Sequence, residues 1–196
     1  MQMKKLVLAG LLGGIVMSIW SIFSHQVIPV YRSSLQKFTN EEAVTRAILD
    51  NAPSSGTYYL PAIPEINSGM SEGDKAKIRQ DYLDRSQRGP RLFGFVQIGD
   101  LGSLWLKLAG EGLKNLVAAL LFAWLALRLG IVSMKNFFAS GIVVGVVIVL
   151  SMTMSEWIWS SAGFGFVIGD AIDQVGGWLL AGLVIGKFLT PPKAQA

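Results

Sequence analysis

The chain has 196 residues, of which 52% are apolar and only 15% are charged, with a net charge of +4 and no cysteine. This charge content is well below the roughly 25% that is typical of soluble domains, and the lack of cysteine excludes disulfides, thiolate metal sites and cysteine nucleophiles. The apolar residues concentrate in four segments, each long enough to cross a bilayer core that needs roughly 20 helical residues. These segments are 6–30, 101–134, 137–160 and 164–189.

The fold that this pattern predicts is mainly α-helical, a four-helix transmembrane bundle with a small extracytoplasmic α+β insert between helices 1 and 2. Helix 1 (1–31) is expected to end near Pro29. We expect it to stay uncleaved, because its apolar run from Leu6 to Phe23 exceeds a usual signal core and no A-x-A-like site follows it. The later segments are the insert (32–100), an interfacial stretch with helix 2 (101–134), helix 3 (135–160), and helix 4 with a cytoplasmic tail (161–196).

The insert carries nine basic and nine acidic residues and has local signals for two helices and two strands. Asn40, which two acids follow, favours the start of a helix that runs to about Asp50. A second, charged helix is predicted over 74–86, and residues 57–60 and 92–98 are strand candidates that would pair. The insert is too short and too polar to bury a large core alone, so we expect it to rest on the membrane, on the helices or on a partner.

Helix 2 begins with an amphipathic stretch over 101–114. Apolar residues that include Leu101 fall on one face, whereas Lys107 and Lys114 fall on the other. This pattern predicts an interfacial start of the helix on the outer side, before the apolar stretch 115–127.

The basic residues are distributed unequally between the two predicted faces of the membrane. Six of them lie on one face with no acid nearby: Lys4, Lys5, Arg128, Lys135, Lys187 and Lys193. The other eleven basic residues and all thirteen acids fall on the opposite face. Because Lys and Arg near helix ends favour the cytoplasmic side, we predict a bacterial cytoplasmic (inner) membrane protein with both termini cytoplasmic and 32–100 extracytoplasmic. This accounts for the basic surplus, and no nucleic-acid partner is expected.

Glycines spaced four residues apart recur in three of the four helices. The pairs are Gly10 and Gly14, Gly141 and Gly145, and Gly182 and Gly186. In lipid, glycine at this spacing permits close approach of helix backbones, so one interpretation is a helix-packing interface within the chain or with another subunit. The other interpretation is that membrane helices are rich in glycine in general.

His25 is the only histidine of the chain and lies near the outer end of helix 1. A neutral imidazole at this position can ligate haem iron or chlorophyll magnesium, or carry a proton. The alternative is a single hydrogen bond that anchors the helix end. Because a catalytic zinc site normally takes several nitrogen or oxygen ligands, no metal site is predicted, and haem or chlorophyll at His25 is the one cofactor hypothesis.

Three acids flank the outer turn between helices 3 and 4, namely Glu156, Asp170 and Asp173. Ionisable groups within a span are costly and often belong to ion or proton sites, and their i,i+3 spacing puts Asp170 and Asp173 on one helix face. One interpretation is a proton or cation site that faces the bundle interior. The alternative is that both aspartates lie in the first turns of helix 4, where the helix dipole favours negative charge, and that Glu156 reaches water.

Six short pieces of the first sixty or so residues carry a family resemblance. They are residues 4–6, 9–14, Trp20, 24–29, 42–44 and 56–61. On these pieces, of which His25, Val27 and Pro29 form the most specific, the chain resembles an uncharacterised group of small bacterial multi-pass membrane proteins. The resemblance covers about a third of the chain and implies an architecture but no activity.

The sequence contains no recognisable nucleotide-binding motif or catalytic set, so we predict that the protein is not an enzyme. The predicted function is that of an accessory or structural subunit of a larger membrane complex, or an interaction partner in one, with lipid and other membrane-protein subunits as its partners. Two alternatives stay open. One is a small ion or proton channel or transporter that uses Glu156, Asp170 and Asp173, although no inverted repeat supports it. The other is a pigment- or haem-binding subunit of an energy-converting complex, with His25 as the ligand.

Overall fold

The structure is a computed structural model that describes residues 2–100 and 102–191. The predictions that involve Leu101 and Lys193 therefore lie outside the described residues. The described chain is mainly helical with one small two-stranded sheet, which confirms the predicted fold class at that level.

The described residues form a series of helices with two strands among them. In order they are α1 (Gln2–Val27), α2 (Pro29–Ser34), α3 (Glu41–Asn51), β1 (Gly56–Leu60), α4 (Glu72–Arg88), β2 (Leu92–Val96), α5 (Leu104–Arg128), α6 (Met134–Ile148), a π-helical segment (Val149–Thr153), α7 (Met154–Ser160) and α8 (Phe164–Leu189). The chain forms two compact units. The insert unit is Lys37–Leu101, and the helical unit is Met1–Gln36 with Gly102–Ala196.

Four helices of the described residues are long and apolar enough to cross a membrane, as the sequence predicted. They are Met3–Val27, Leu104–Arg128, Met134–Ser160 and Phe164–Leu189. The second of them, α5, is a single helix that includes the predicted amphipathic start. The third is one continuous helix made of α6, the π-helical segment and α7.

Local sequence accounts for where these helices begin and end. The expected break at Pro29 is present, but a short helix, α2, starts there, because the residue before proline is held extended and proline suits the first helical position. Gly130, with a φ of 70°, lies in the turn after α5. The Ser133 Oγ then accepts a hydrogen bond from the backbone N–H of Asn136 at 3.2 Å and caps α6.

The four long helices contact one another in the order α5, α1, α8, α6. The first and last helices of the chain therefore lie in the middle of the row. Although α5 and α6 are consecutive in sequence, a cavity of about 260 Å³ lies between them, lined by residues such as Leu125 and Val143. Phe122 of α5 nevertheless reaches α8, where its ring meets that of Trp178 edge-on at a centroid distance of 5.6 Å.

Glycines lie where the helix backbones approach most closely. A Cβ atom added at Gly14 would lie 2.6 Å from the Cα of Leu116 on α5, and one at Gly182 would lie 2.6 Å from the carbonyl oxygen of Phe137 on α6. The other members of the three predicted pairs meet neighbouring helices in the same way: Gly10 against α5, Gly141 and Gly145 against α8, and Gly186 against α6. Within the described residues, the three pairs thus take part in packing inside this chain.

The two ends of the helical unit differ in what they bury. We call the end where α1 finishes and α8 begins the polar end, and the opposite end, with Lys4, Arg128 and Lys187, the basic end. The interior from the middle of the unit toward the basic end is apolar, with side chains such as Phe137 and Ile185 at 0% exposure.

The insert unit contains the two helices and two strands that the sequence predicts. The Asn40 Oδ1 accepts a hydrogen bond from the backbone N–H of Ala43 at 2.9 Å and caps α3, and the Ser71 Oγ caps α4. Strands β1 and β2 pair antiparallel, in agreement with the predicted pairing, with Tyr59 opposite Phe93.

Candidate functional site

Three polar side chains are buried in the part of the chain that the structure describes: Ser24, Asn115 and Thr153. Each of them makes a hydrogen bond to a side chain of another helix. A buried polar group without a partner would cost roughly 1–3 kcal/mol by protein mutational data. These pairs therefore favour the rotation of each helix about its own axis that brings the partners together. They lie between the polar end and the middle of the helical unit, and this region is the candidate site.

Asp173 joins α8 to the end of α1. Its carboxylate accepts a hydrogen bond from the Ser24 hydroxyl, and its backbone carbonyl accepts one from the Trp20 indole N–H at 3.0 Å. The His25 Nδ1 lies 3.8 Å from the same carboxylate, which is 13% exposed. Asp173, nine residues into an apolar helix, thus meets three side chains of α1: Ser24 and His25 at its carboxylate and Trp20 at its backbone carbonyl.

Asp170 makes the matching connection on the other side of α8. Its carboxylate accepts a hydrogen bond from the Thr153 hydroxyl, and Thr153 is the last residue of the π-helical segment. A π-helical turn contains one more residue than an α-helical turn and often occurs at functional sites. This segment, which brings a buried hydroxyl to the aspartate, is not predictable from the sequence.

The positions of the two aspartates disfavour the helix-dipole interpretation. α8 begins at Phe164 and has no acid in its first turn, so Asp170 and Asp173 occupy the second and third turns. Because the dipole effect falls off within the first turn, their hydroxyl and indole partners account better for their presence.

Glu156 does not join the two aspartates. It is exposed and has no hydrogen-bond or ion-pair partner within the described residues. Glu156 does, however, influence Tyr31 of α2. The pKa of Tyr31 is raised above the ordinary value of 10.0, first because the phenol is partly buried and then because of the negative charges of Asp170, Glu156 and Asp173.

The predicted ligand His25 is half-buried and its Nδ1 already has neighbours. This nitrogen lies 2.9 Å from the carbonyl oxygen of Ser21 and 3.3 Å from the Ser24 hydroxyl. The ring packs edge-on against Tyr31 at a centroid distance of 4.8 Å. This arrangement matches the interpretation in which the imidazole anchors the helix end. Ligation of haem or chlorophyll stays a prediction.

A second polar connection joins α1 to α5. The Asn115 amide donates to the Ser18 hydroxyl at 3.1 Å, and Ser18 in turn donates to the backbone carbonyl of Gly14 at 3.0 Å. Between this pair and Asp173 lies a cavity of about 40 Å³, which Trp20 also lines. A space of this size has room for roughly two or three water molecules.

Sequence reasoning named the acids and the histidine but missed their partners. The missed residues are Ser18, Trp20, Ser24, Tyr31, Asn115 and Thr153. Asn115 was the most detectable of them, since an amide at the edge of an apolar run needs a partner in lipid. The serines and the threonine carry little signal, because a hydroxyl can bond to the carbonyl four residues earlier in its own helix.

Chemically, the site can hold helices together and can accept a proton, but it lacks the donors of a metal site. No group of three or more His, Asp or Glu side chains in the described residues is arranged to hold a metal ion. The carboxylates of Asp170 and Asp173 each accept a hydrogen bond from a hydroxyl group of another helix. Their role in joining α1, α8 and the π-helical segment is the one that the contacts carry directly.

Comparison with protein-family models, with curated proteins and with solved structures gives no match to this chain. A functional conclusion therefore has to come from the geometry of the two units themselves.

Proposed function

We propose that this chain is a non-catalytic membrane protein that serves as an accessory or structural subunit of a larger membrane complex. The observation that carries the proposal is how little of the insert unit is buried. Among its described residues, only Ala52 and Pro61 are buried. A unit of some sixty residues that folds alone is expected to bury more than half of its unfolded surface. The insert unit is therefore organised to complete its packing against something else.

The sheet of the insert unit presents the apolar surface that such a partner would cover. Thr57, Tyr59, Phe93 and Phe95 share one face, because residues two apart in a strand point the same way and 57 pairs with 95 and 59 with 93. Phe95 is 84% exposed, and its ring lies 6.2 Å from that of Phe93. An isolated two-stranded sheet is only marginally stable in water, and contiguous exposed apolar residues often belong to interaction surfaces. We call these four residues the aromatic face.

The test is whether partner capture depends on the aromatic face. In native membranes solubilised in a mild detergent, the tagged full chain is expected to carry other membrane proteins, identified by mass spectrometry. The double variant Phe93→Ser/Phe95→Ser is expected to lose them. A change of Phe38, which is 63% exposed in the same unit but outside the sheet, to serine is the matched control. A wild-type chain that runs alone and monodisperse, or equal capture by the double variant, would contradict the proposal.

The transport alternative predicts a polar route between the two ends of the helical unit. Counted from the polar end, Asn115 is the last buried polar side chain on α5, and it lies roughly 16 Å from the start of that helix at 1.5 Å per residue. From there to the basic end, apolar residues such as Ala126 and Ile185 fill the interior. We therefore expect no proton or cation flux in liposomes that contain the purified chain. A flux in the wild type that Asp170→Asn abolishes would reinstate the channel or transporter.

A further inference from the structure

A groove between α1 and α5 at the basic end combines a guanidinium group with apolar walls. It encloses about 290 Å³ and is lined by Met3, Leu6, Trp124, Leu127 and Arg128. We call it the α1–α5 groove. We propose that it binds an anionic phospholipid, with the lipid phosphate at the guanidinium and an acyl chain along the apolar walls.

The guanidinium of Arg128 is available for such a ligand. It is exposed, and no carboxylate within the described residues lies at ion-pair distance from it. Its central carbon lies 5.6 Å from the centre of the Trp124 ring, which holds the side chain over the groove. The planar guanidinium can donate two parallel hydrogen bonds to a phosphate, and tryptophan favours the headgroup level of a bilayer.

A second cavity supplies another cation and more apolar wall. It is a shallow, open depression of about 330 Å³ on α1, lined by Met3, Lys4, Val7, Leu8 and Leu11. Because Met3 lines both cavities, they are neighbours, and the exposed Lys4 lines the second of them. The two cavities together combine one guanidinium group and one ammonium group with apolar walls, which suits an amphiphile.

Charge complementarity selects the class of lipid. The ionisable residues that the structure describes at the basic end are all basic: Lys4, Lys5, Arg128, Lys135 and Lys187. Clusters of this kind attract anionic headgroups. A zwitterionic lipid brings its own cation to the site, and free phosphate makes no use of the apolar walls. The proposal requires the helices to lie in a bilayer but needs no partner protein, so it is independent of the proposed function.

The test is native mass spectrometry of the purified full chain in detergent, with dioleoyl phosphatidylglycerol and dioleoyl phosphatidylcholine as matched probes. The wild type is expected to bind phosphatidylglycerol more tightly, by about thirtyfold, on the basis of the two cations Arg128 and Lys4. Lys4→Gln/Arg128→Gln is expected to remove this preference. Lys135→Gln/Lys187→Gln removes the same charge from α6 and α8 and is expected to retain it. Arg128→Lys, which keeps the charge but not the planar donor pair, is expected to be intermediate.

Two results would overturn the proposal. One is equal affinity of the wild type for the two lipids. The other is an equal loss of preference in both double variants, which would mean that the basic end attracts anionic lipid without a site. Inorganic phosphate added at millimolar concentration is expected to displace little phosphatidylglycerol, because it lacks the acyl chains, and full displacement would reduce the site to a phosphate-binding surface. Gel filtration before the measurement confirms that each variant keeps the elution volume of the wild type.

Discussion

Replacing Gly145 with alanine is expected to destabilise the helical unit by about 1–3 kcal/mol, the usual cost of added volume in a well-packed interior. The new Cβ would lie 2.7 Å from the Cα of Val175 and 3.0 Å from the carbonyl oxygen of Gln174. Both are backbone atoms of α8, so no side-chain rotation can relieve the overlap and the two helices must move apart. In lipid this loss is not offset, because helix association there depends on close packing.

Gly112 provides the matched control for this measurement. It also lies inside one of the four helices that are long and apolar enough to cross a membrane, but a Cβ there would meet nothing within 4 Å. Its replacement by alanine is expected to be neutral or to stabilise by up to about 1 kcal/mol, through helix propensity alone. The free energies of unfolding are compared by titration with SDS in bicelles. Equal stability of the two variants would show that the α6–α8 contact is looser than the structure has it.

Replacing Trp20 with alanine is expected to destabilise the helical unit by roughly 2–3 kcal/mol, which is below the 3–5 of a fully buried site because the indole is partly exposed. The indole packs directly on the α8 backbone, since a Cβ at Gly176 would lie 2.6 Å from its Cε2. The indole N–H also donates to the carbonyl oxygen of Asp173. The alanine variant loses both interactions and leaves a gap between α1 and α8.

Two further variants separate these contributions. Trp20→Phe keeps a ring over Gly176 but removes the N–H donor, so it is expected to lose about 1 kcal/mol, as is typical of a hydrogen bond between helices in lipid. Trp159, which is 83% exposed in α7, is the control position, and its change to alanine is expected to have little effect. If Trp20→Ala were no less stable than Trp159→Ala, the indole would not hold α1 against α8.

The sequence predicted those parts of the fold that depend on local composition. Hydropathy alone located the four long helices, because each needs only enough consecutive apolar residues. Asn40 indicated the start of α3 because its capping bond reaches just three residues along the chain. The two strands were recognisable from their aromatic and branched residues, and their pairing followed because the insert has no others within its described residues.

Features that depend on contacts between distant residues were not predictable in this way. The π-helical segment ends at Thr153, whose hydrogen-bond partner Asp170 belongs to α8. None of the segment's own residues indicates that its turn is π-helical and not α-helical. The order of the helices depends on which face each one turns to its neighbours. Glycine pairs were visible in the sequence, but nothing local assigned Gly10 to α5 or Gly186 to α6.

For the same reason, only the acidic residues of the candidate site could be predicted from the sequence. A carboxylate inside an apolar helix is conspicuous in a sequence, so Asp170 and Asp173 were identified at once. Their donors are hydroxyl groups, which are common in helices of every kind. Ser24 gains significance only when α1 is placed against α8.

The order of the helices also constrains how the molecule is assembled during synthesis. The chain leaves the ribosome from its N-terminus, yet α1 has its most extensive contact with α8, the fourth of the long helices in chain order, and α8 is also the main neighbour of α6. Until α8 arrives, α1 has only α5 beside it and α6 has no long neighbour. Nascent chains that stop before residue 164 therefore lack the central helix pair, and α1 and α6 gain their main neighbour only once α8 has been synthesised.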